Sequence, residues 1–303
     1  MADVSEFPRP LAFVLSGGGA IGGAQVGHLL VLNELGIVPD LIVGTSVGAI
    51  NGAVVAAHPD GGALDLFDIW AAVRREDVFP LPSWNLVSSL RRGLTGVVPV
   101  GGLVSLITGN LGVARLEDLQ VPLHVIATDA VTGELVDLVE GSLVDALVAS
   151  SAIPGVFPPR LVDGRTLMDG GLVANVPVDY AFDLGARSAI VLDAAWPCEL
   201  THPPQTVIES IAVALRLLTR SQADAQMLAA AQRGLVVHLP VPCTIRRSPL
   251  DFRGVVDLIE ATGEATQQFF DDRVGLPWPE IGAVGQPHRH TREHAREVAV
   301  STG

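Results

Sequence analysis

Three short glycine-rich stretches hold the residues of this 303-residue chain best suited to chemistry: Gly17-Gly-Gly-Ala-Ile-Gly22, Gly44-Thr-Ser46-Val-Gly48 and Thr166-Leu-Met-Asp169-Gly-Gly171. The second is G-x-S-x-G, set between the apolar run Leu41-Ile-Val43 and a small-residue helical segment over Val47–Ala57. A sharp strand-to-helix turn strains the backbone at the serine, so small residues must flank it. The hydroxyl is then presented at a helix N-terminus, where amides and the helix dipole favour negative charge. This is the setting of a serine nucleophile, although small-residue turns of this kind also occur without chemistry.

A serine nucleophile needs a base. The late histidines are His202, His238, His288, His290 and His294. His238 sits in an apolar strand, where it packs or faces solvent. His202 precedes Pro-Pro and the last three lie in a polar tail, so no histidine is singled out. Asp169 is: it closes a strand, and Gly170 and Gly171 let the backbone turn away from it. An ordinary Asp-Gly turn has the same pattern.

The first stretch matches G-x-G-x-x-G after a strand and before a helix, the pattern of a dinucleotide loop. The acid that should bind ribose belongs at the C-terminal end of the second strand. Gly44–Gly48 occupies that end, while Asp40 lies at the strand's start. No Lys-Ser/Thr follows the glycines, which excludes a Walker A loop.

The elements that must position these residues follow from hydrophobic patterning. Leu11–Leu15, Leu41–Val43, Leu123–Ala127, Ser188–Leu192 and Leu235–Leu239 read as buried strands, the last being the final strand of the sheet. Helices are predicted over Gly22–Gly36 with Gly36 as C-cap, Val47–Ala57, Ser142–Ser150 with Ser142 as cap, Val178–Leu184, Val207–Gln232 and Gly254–Phe270. The Val207–Gln232 helix should bury Ile208, Ile211, Leu215, Leu218 and Met227. Asp163-Gly164 marks a hairpin turn within Leu161–Met168. Residues Glu76–Gly112 have no clean period, which fits a lid beside a pocket as well as it fits a packed insertion. Strand, helix, strand, helix within the first 57 residues argues for an α/β fold, three-layer α/β/α with a mainly parallel central sheet. One domain over residues 1–285 with a polar tail over 286–303 is expected.

Composition narrows the partners. The chain is 49% hydrophobic and 17% charged, which excludes disorder as its main state. Lysine is absent and the net charge is −14, so a nucleic-acid surface is not expected and electrostatic attraction to anionic lipid is disfavoured. The longest apolar runs, such as Val97–Thr108, are too short and too interrupted to span a bilayer. The N-terminus lacks the basic region of a signal peptide, and Cys198 and Cys243 are expected as reduced, buried thiols of a cytoplasmic protein.

Taken together, the three stretches resemble the patatin-like phospholipase family, whose members carry a glycine-rich loop, a G-x-S-x-G serine and a D-G-G or D-G-A aspartate in that order. Ser150-Ser-Ala-Ile-Pro-Gly-Val-Phe-Pro158 and Asn175-Val-Pro177 add to the likeness, which covers about residues 11–195. The resemblance implies a Ser–Asp dyad without histidine: Ser46 as nucleophile and Asp169 as its proton acceptor. It implies an oxyanion hole from the Gly17, Gly18 and Gly19 stretch, with Gly22, Gly44, Gly48, Gly170 and Gly171 as supporting motif positions. No cofactor or metal is implied. The substrate would be a lipid ester or phospholipid, cleaved through an acyl-enzyme, with an apolar pocket partly walled by Glu76–Gly112. For its task Asp169 is expected partly desolvated.

One departure stands out. The family usually has Arg or Lys at the fifth position of the glycine motif, where this chain has Ile21; Arg160 and Arg165 are candidates to compensate. Ile21 keeps open a catalytically silent lipid-binding protein, and acyl transfer to another acceptor needs the same serine chemistry. Trp84, Leu86 and Val87 raise peripheral membrane contact. Oligomeric state is not legible.

Overall fold

A computed structural model describes residues 6–80, 96, 98–194, 203–242 and 248–285. Cys198, Cys243, Trp84, Leu86, Val87 and the tail from 286 onward lie outside the described residues. In chain order the elements are β1 (Leu11–Leu15), α1 (Gly23–Glu34), β2 (Leu41–Thr45), α2 (Val47–Ala57), α3 (Gly62–Ala72), α4 (Arg75–Val78) and α5 (Gly101–Asn110). They continue with β3 (Leu123–Asp129), β4 (Leu135–Leu138), α6 (Leu143–Ser150), β5 (Arg160–Val162), β6 (Arg165–Asp169), α7 (Gly171–Ala174) and α8 (Val178–Asp183). The last are β7 (Ser188–Leu192), α9 (Val207–Ala230), β8 (Leu235–His238), α10 (Val255–Asp271) and β9 (Gly282–Val284).

Among the described residues nine strands join one sheet through the chain of pairings β5-β6-β3-β2-β1-β7-β8-β9, with β4 also paired to β3. Every pairing among β3, β2, β1, β7, β8 and β9 is parallel, while β4, β5 and β6 pair antiparallel. The fold is therefore α/β with a mainly parallel sheet. Its central strands are buried on both faces, which is why they read as continuous apolar runs rather than alternating ones. Phe13, Ile42, Ile190 and Val237 enter one core, covered by α1, α2, α3 and α10. Their neighbours Ala12, Val43, Val191 and Val236 enter a second core under α8 and α9. The sheet is thus the middle of three layers.

Local signals act as the residue types require. Gly36, just past α1, has φ +67°, and the Ser142 hydroxyl caps α6 by accepting the Asp145 N–H at 3.2 Å. Asp163 and Gly164 both have positive φ and close the β5–β6 hairpin. The α1–α10 crossing is a backbone-to-backbone approach: a Cβ on Gly27 would stand 2.8 Å from the Gly263 nitrogen and press on the Ile259 carbonyl. Gly27→Ala is expected to destabilise the protein by about 1–3 kcal/mol, because the helices must separate to admit the methyl group. Urea unfolding with an unchanged m-value checks this.

Three expectations are corrected. Leu235–Leu239 is not the last strand, since β9 extends the sheet beside β8. Its brevity and its Gly282, at φ +126°, conceal it from patterning. A helix, α5, stands within the aperiodic Glu76–Gly112 region, where Gly101, Gly102 and Gly109 mask it. The α9 helix departs from its expected face at Leu218, which is 69% exposed; Met227 packs in the second core with Ala223 and Ala230, Leu215 is half-buried, and the side chains of Ile208 and Ile211 lie outside the described residues. Gln222 and Gln226 donate to the Val173 carbonyl and hold this side of α9 against α7. Among the described residues no helix is long and apolar enough to cross a membrane.

Candidate active site

Strand register brings Ser46 and Asp169 together. The strands β2 and β6 share one edge of β3, because β4 pairs with Ile126, Ala127 and Thr128 and so takes the other. Along the shared edge β2 ends with Thr45 opposite Ile126, and β6 runs the other way to end with Asp169 opposite Ala127. Two strand ends meet head to head, and the residues just beyond and at those ends face each other. Gly170 is needed there, since a Cβ would press on the Ile126 carbonyl.

Ser46 occupies the strand-to-helix turn with φ +54° and ψ −123°, a conformation costly for any side-chain-bearing residue. It is held from outside the turn. Its N–H donates to the Ser150 hydroxyl at 2.8 Å, and that hydroxyl donates to the Ile126 carbonyl at 2.6 Å. The flanking glycines are sterically required: a Cβ on Gly48 would lie 2.6 Å from the Ser16 carbonyl oxygen, and one on Gly44 2.6 Å from the Ala49 Cα.

Asp169 is 8% exposed, with one carboxylate oxygen accepting the Gly171 N–H at 2.7 Å and the Ser46 hydroxyl close enough to act on its charge. Burial pushes its carboxyl up to about 6, against the opposing pull of the Gly171 N–H and then of the Ser46 hydroxyl. A carboxylate so placed is ionised at neutral pH and more basic than an exposed aspartate.

The glycine loop follows β1. Gly17 N–H is spent on the Asn175 carbonyl at 3.1 Å, and Ala20 N–H on the Pro249 carbonyl at 2.7 Å. The N–H groups of Gly18 and Gly19 have no partner among the described residues. Of the three glycines expected to form an oxyanion hole, these two have amides to offer. Gly19 has φ +57°, and the space beside Gly18 is closed by Ala194, whose Cβ would be 2.6 Å from any added there.

Beneath the loop lies a polar network that sequence reading missed. The Ser16 hydroxyl donates to Asp193 and accepts the Ala194 N–H, both at 2.8 Å, while Gln25 donates to the Ser16 and Leu192 carbonyls. Gln25 accepts from Asn51, which accepts from Trp70. Burial acts to raise the Asp193 carboxyl, but neighbouring His238, the Ser16 hydroxyl and the Arg220 charge hold it below the usual range. His238 is buried in β8, 3.6 Å from Asp193. His28, buried and bonded to Thr266, is pushed down to about 3, first by burial and then by the His238 charge. The signal for this network was the unusual polarity of Gln25, His28 and Asn51 in apolar helices.

Ile21 packs in an apolar cluster with Ala24, Ala194 and Leu258. Neither suggested arginine replaces a cation there: Arg160 pairs with Asp145, and Arg165 acts on Asp129. Asp40, set aside as a ribose ligand, accepts from Leu11 N–H and Arg9.

Two cavities open on Ser46. One runs between α2, α3 and α5, walled by Val54, Leu66, Trp70, Leu103 and Ile107. The other contains Asp169 and the glycine loop and is walled by Pro154, Leu172, Leu215 and Leu250. Among the described residues no group of side chains is arranged to hold a metal ion.

A family model described as patatin-like phospholipase matches residues 13–182. The rat patatin-like phospholipase domain-containing protein 7 is 35% identical over 186 residues, covering 60% of this chain and 13% of the relative. An uncharacterised NTE family protein of Mycobacterium tuberculosis (strain H37Rv) is 34% identical over 175 residues, covering 57% of this chain and 46% of the relative. The chain therefore spans less than half the length of either. Among solved structures, VipD from Legionella pneumophila aligns with a TM-score of 0.46 at 15% identity, over 88% of this chain and 67% of that one. Human GIVD cytosolic phospholipase A2 aligns with a TM-score of 0.42 at 13% identity, over 86% and 57%.

Proposed function

The chain belongs to the patatin-like phospholipase family, and from that premise we propose that it is a serine acyl hydrolase cleaving carboxylic esters of lipids through Ser46 and Asp169. The observation that carries this reading is the meeting of a strained, buried serine with a desolvated carboxylate at two opposed strand ends. Asp169 takes the Ser46 proton as the oxygen attacks the ester carbonyl. The N–H groups of Gly18 and Gly19 receive the developing oxyanion, each such donor contributing roughly 3–4 kcal/mol to the transition state. Asp169 returns the proton to the departing alcohol, and an acyl-enzyme on Ser46 remains. Water, deprotonated by Asp169, then releases the acid.

The test is hydrolysis of acyl esters by wild type, Ser46→Ala and Asp169→Asn, together with fluorophosphonate labelling of Ser46. Equal activity in all three proteins would sink the dyad. Acid should also silence the enzyme. With a carboxyl near 6 acting as base, kcat/KM should be half-maximal near pH 6 and fall about tenfold per unit below it. A profile flat between pH 5 and 8 on a soluble ester would remove Asp169 from that role.

A second reading rests on Ile21, buried where the family usually has a cation. It is a silent lipid-binding protein, recognised by copurifying lipid without labelling of Ser46. Transfer of the acyl group to an alcohol uses the same steps with a different acceptor, and transesterified product would reveal it.

A further inference from the structure

We propose that the cavity beside Asp169 receives the alcohol part of the ester and that this part is apolar, so the substrate carries hydrocarbon on both sides of the scissile bond. This rests on the hydrolase reading above. In the first half-reaction a bond forms between the Ser46 oxygen and the acyl carbon, and the bond from that carbon to the alcohol oxygen breaks. The proton leaving Ser46 passes through Asp169 to the alcohol oxygen. The departing oxygen must therefore lie on the Asp169 side of Ser46.

Only one of the two cavities has that geometry. Both are bordered by Gly19, Ser46, Phe79 and Ile153, but Asp169 borders the second alone. The first, enclosed by Leu66, Trp70 and Ile107, is left for the acyl chain. The two are comparable in size, about 80 and 90 Å³.

The walls of the alcohol cavity set its chemistry. Pro154, Leu172, Leu215 and Leu250 are hydrocarbon, and Thr219 and Asn175 add neutral hydrogen-bonding groups. Among the described residues its one ionisable side chain is Asp169 itself, an anion during attack. A phosphate-bearing alcohol would meet that carboxylate with no cation from these walls to balance it. A hydrocarbon or neutral acylglycerol alcohol gains burial instead.

The test uses three esters of one acyl chain in mixed micelles at a fixed mole fraction: with a long-chain alcohol, with methanol and with glycerophosphocholine. Wild type should show a kcat/KM at least tenfold higher on the long-chain alcohol ester than on the glycerophosphocholine ester. Leu215→Asp should lower the ratio of long-chain alcohol ester to methyl ester at least tenfold, with folding checked by circular dichroism. Equal or faster turnover of the glycerophosphocholine ester by wild type would overturn the proposal and leave the hydrolase reading standing, whatever the variant does. A Leu215→Asp ratio equal to that of folded wild type would also overturn it. No turnover of any ester, with no fluorophosphonate labelling, would remove the hydrolase reading and this inference together.

Discussion

Replacing Asp169 with asparagine is expected to lower kcat/KM for a soluble acyl ester by about 10³–10⁴-fold and, at pH 8, to make the protein more stable. The activity loss follows because an amide cannot accept the Ser46 proton while still accepting the Gly171 N–H. The stability gain follows from the sign of the Asp169 displacement. Its carboxyl sits at about 6 in the folded protein against 3.8 for an ordinary aspartate. Between these values the folded state holds a proton that the unfolded state has released, so stability falls as pH rises through that window. Above pH 6 the full penalty is present, about 3 kcal/mol from two units of displacement. Asparagine removes it. Urea unfolding at pH 4 and pH 8 checks the claim: the variant should gain at pH 8 and show little difference at pH 4. An equal effect at both pH values would contradict the assigned burial.

Replacing Ser46 with glycine is expected to reduce activity by about 10⁴–10⁶-fold, abolish fluorophosphonate labelling and again stabilise the fold. The φ of +54° at Ser46 is imposed by the turn and held by Ser150. Such a conformation costs a side-chain-bearing residue about 1–3 kcal/mol, and glycine escapes most of it. Glycine gives back about 0.5–1 kcal/mol in unfolded-chain entropy, leaving a net gain of about 1 kcal/mol. Ser46→Ala retains the strain, so it should lose activity equally without that gain. A Ser46→Gly protein less stable than Ser46→Ala would show that the turn stores no strain at this position.

Much of this arrangement was legible in the sequence, and the parts that were not share a physical cause. Central strands announce themselves because burial on both faces demands unbroken apolar runs such as Leu11–Leu15. The glycine-framed turns that carry Ser46 and Asp169 were readable because glycine is obligatory where Gly48 and Gly170 press on backbone. Their meeting was implied only by the family resemblance and not by the residues themselves, because it depends on β2 and β6 sharing an edge of β3, a long-range register with no local signature. Leu218 of α9 was misplaced because leucine suggests burial, while Gln222 and Gln226 take the inward positions beside Val173. Pro249 and Leu250 went unnoticed because a backbone carbonyl and an aliphatic wall leave no motif.

The family match ends at residue 182, yet Leu215 and Leu250 wall a cavity at Ser46 and the Pro249 carbonyl anchors the glycine loop through Ala20. Under the proposed function, reaction and selectivity would then be carried by different stretches of the chain. Ser46 and Asp169 lie inside the matched region, while the stretch beyond it lines the cavity without supplying either member of the dyad, so its side chains are the ones to vary when altering which ester fits. A library confined to residues 203–242 and 248–285, sparing Pro249, is the natural starting point for directed evolution of this scaffold.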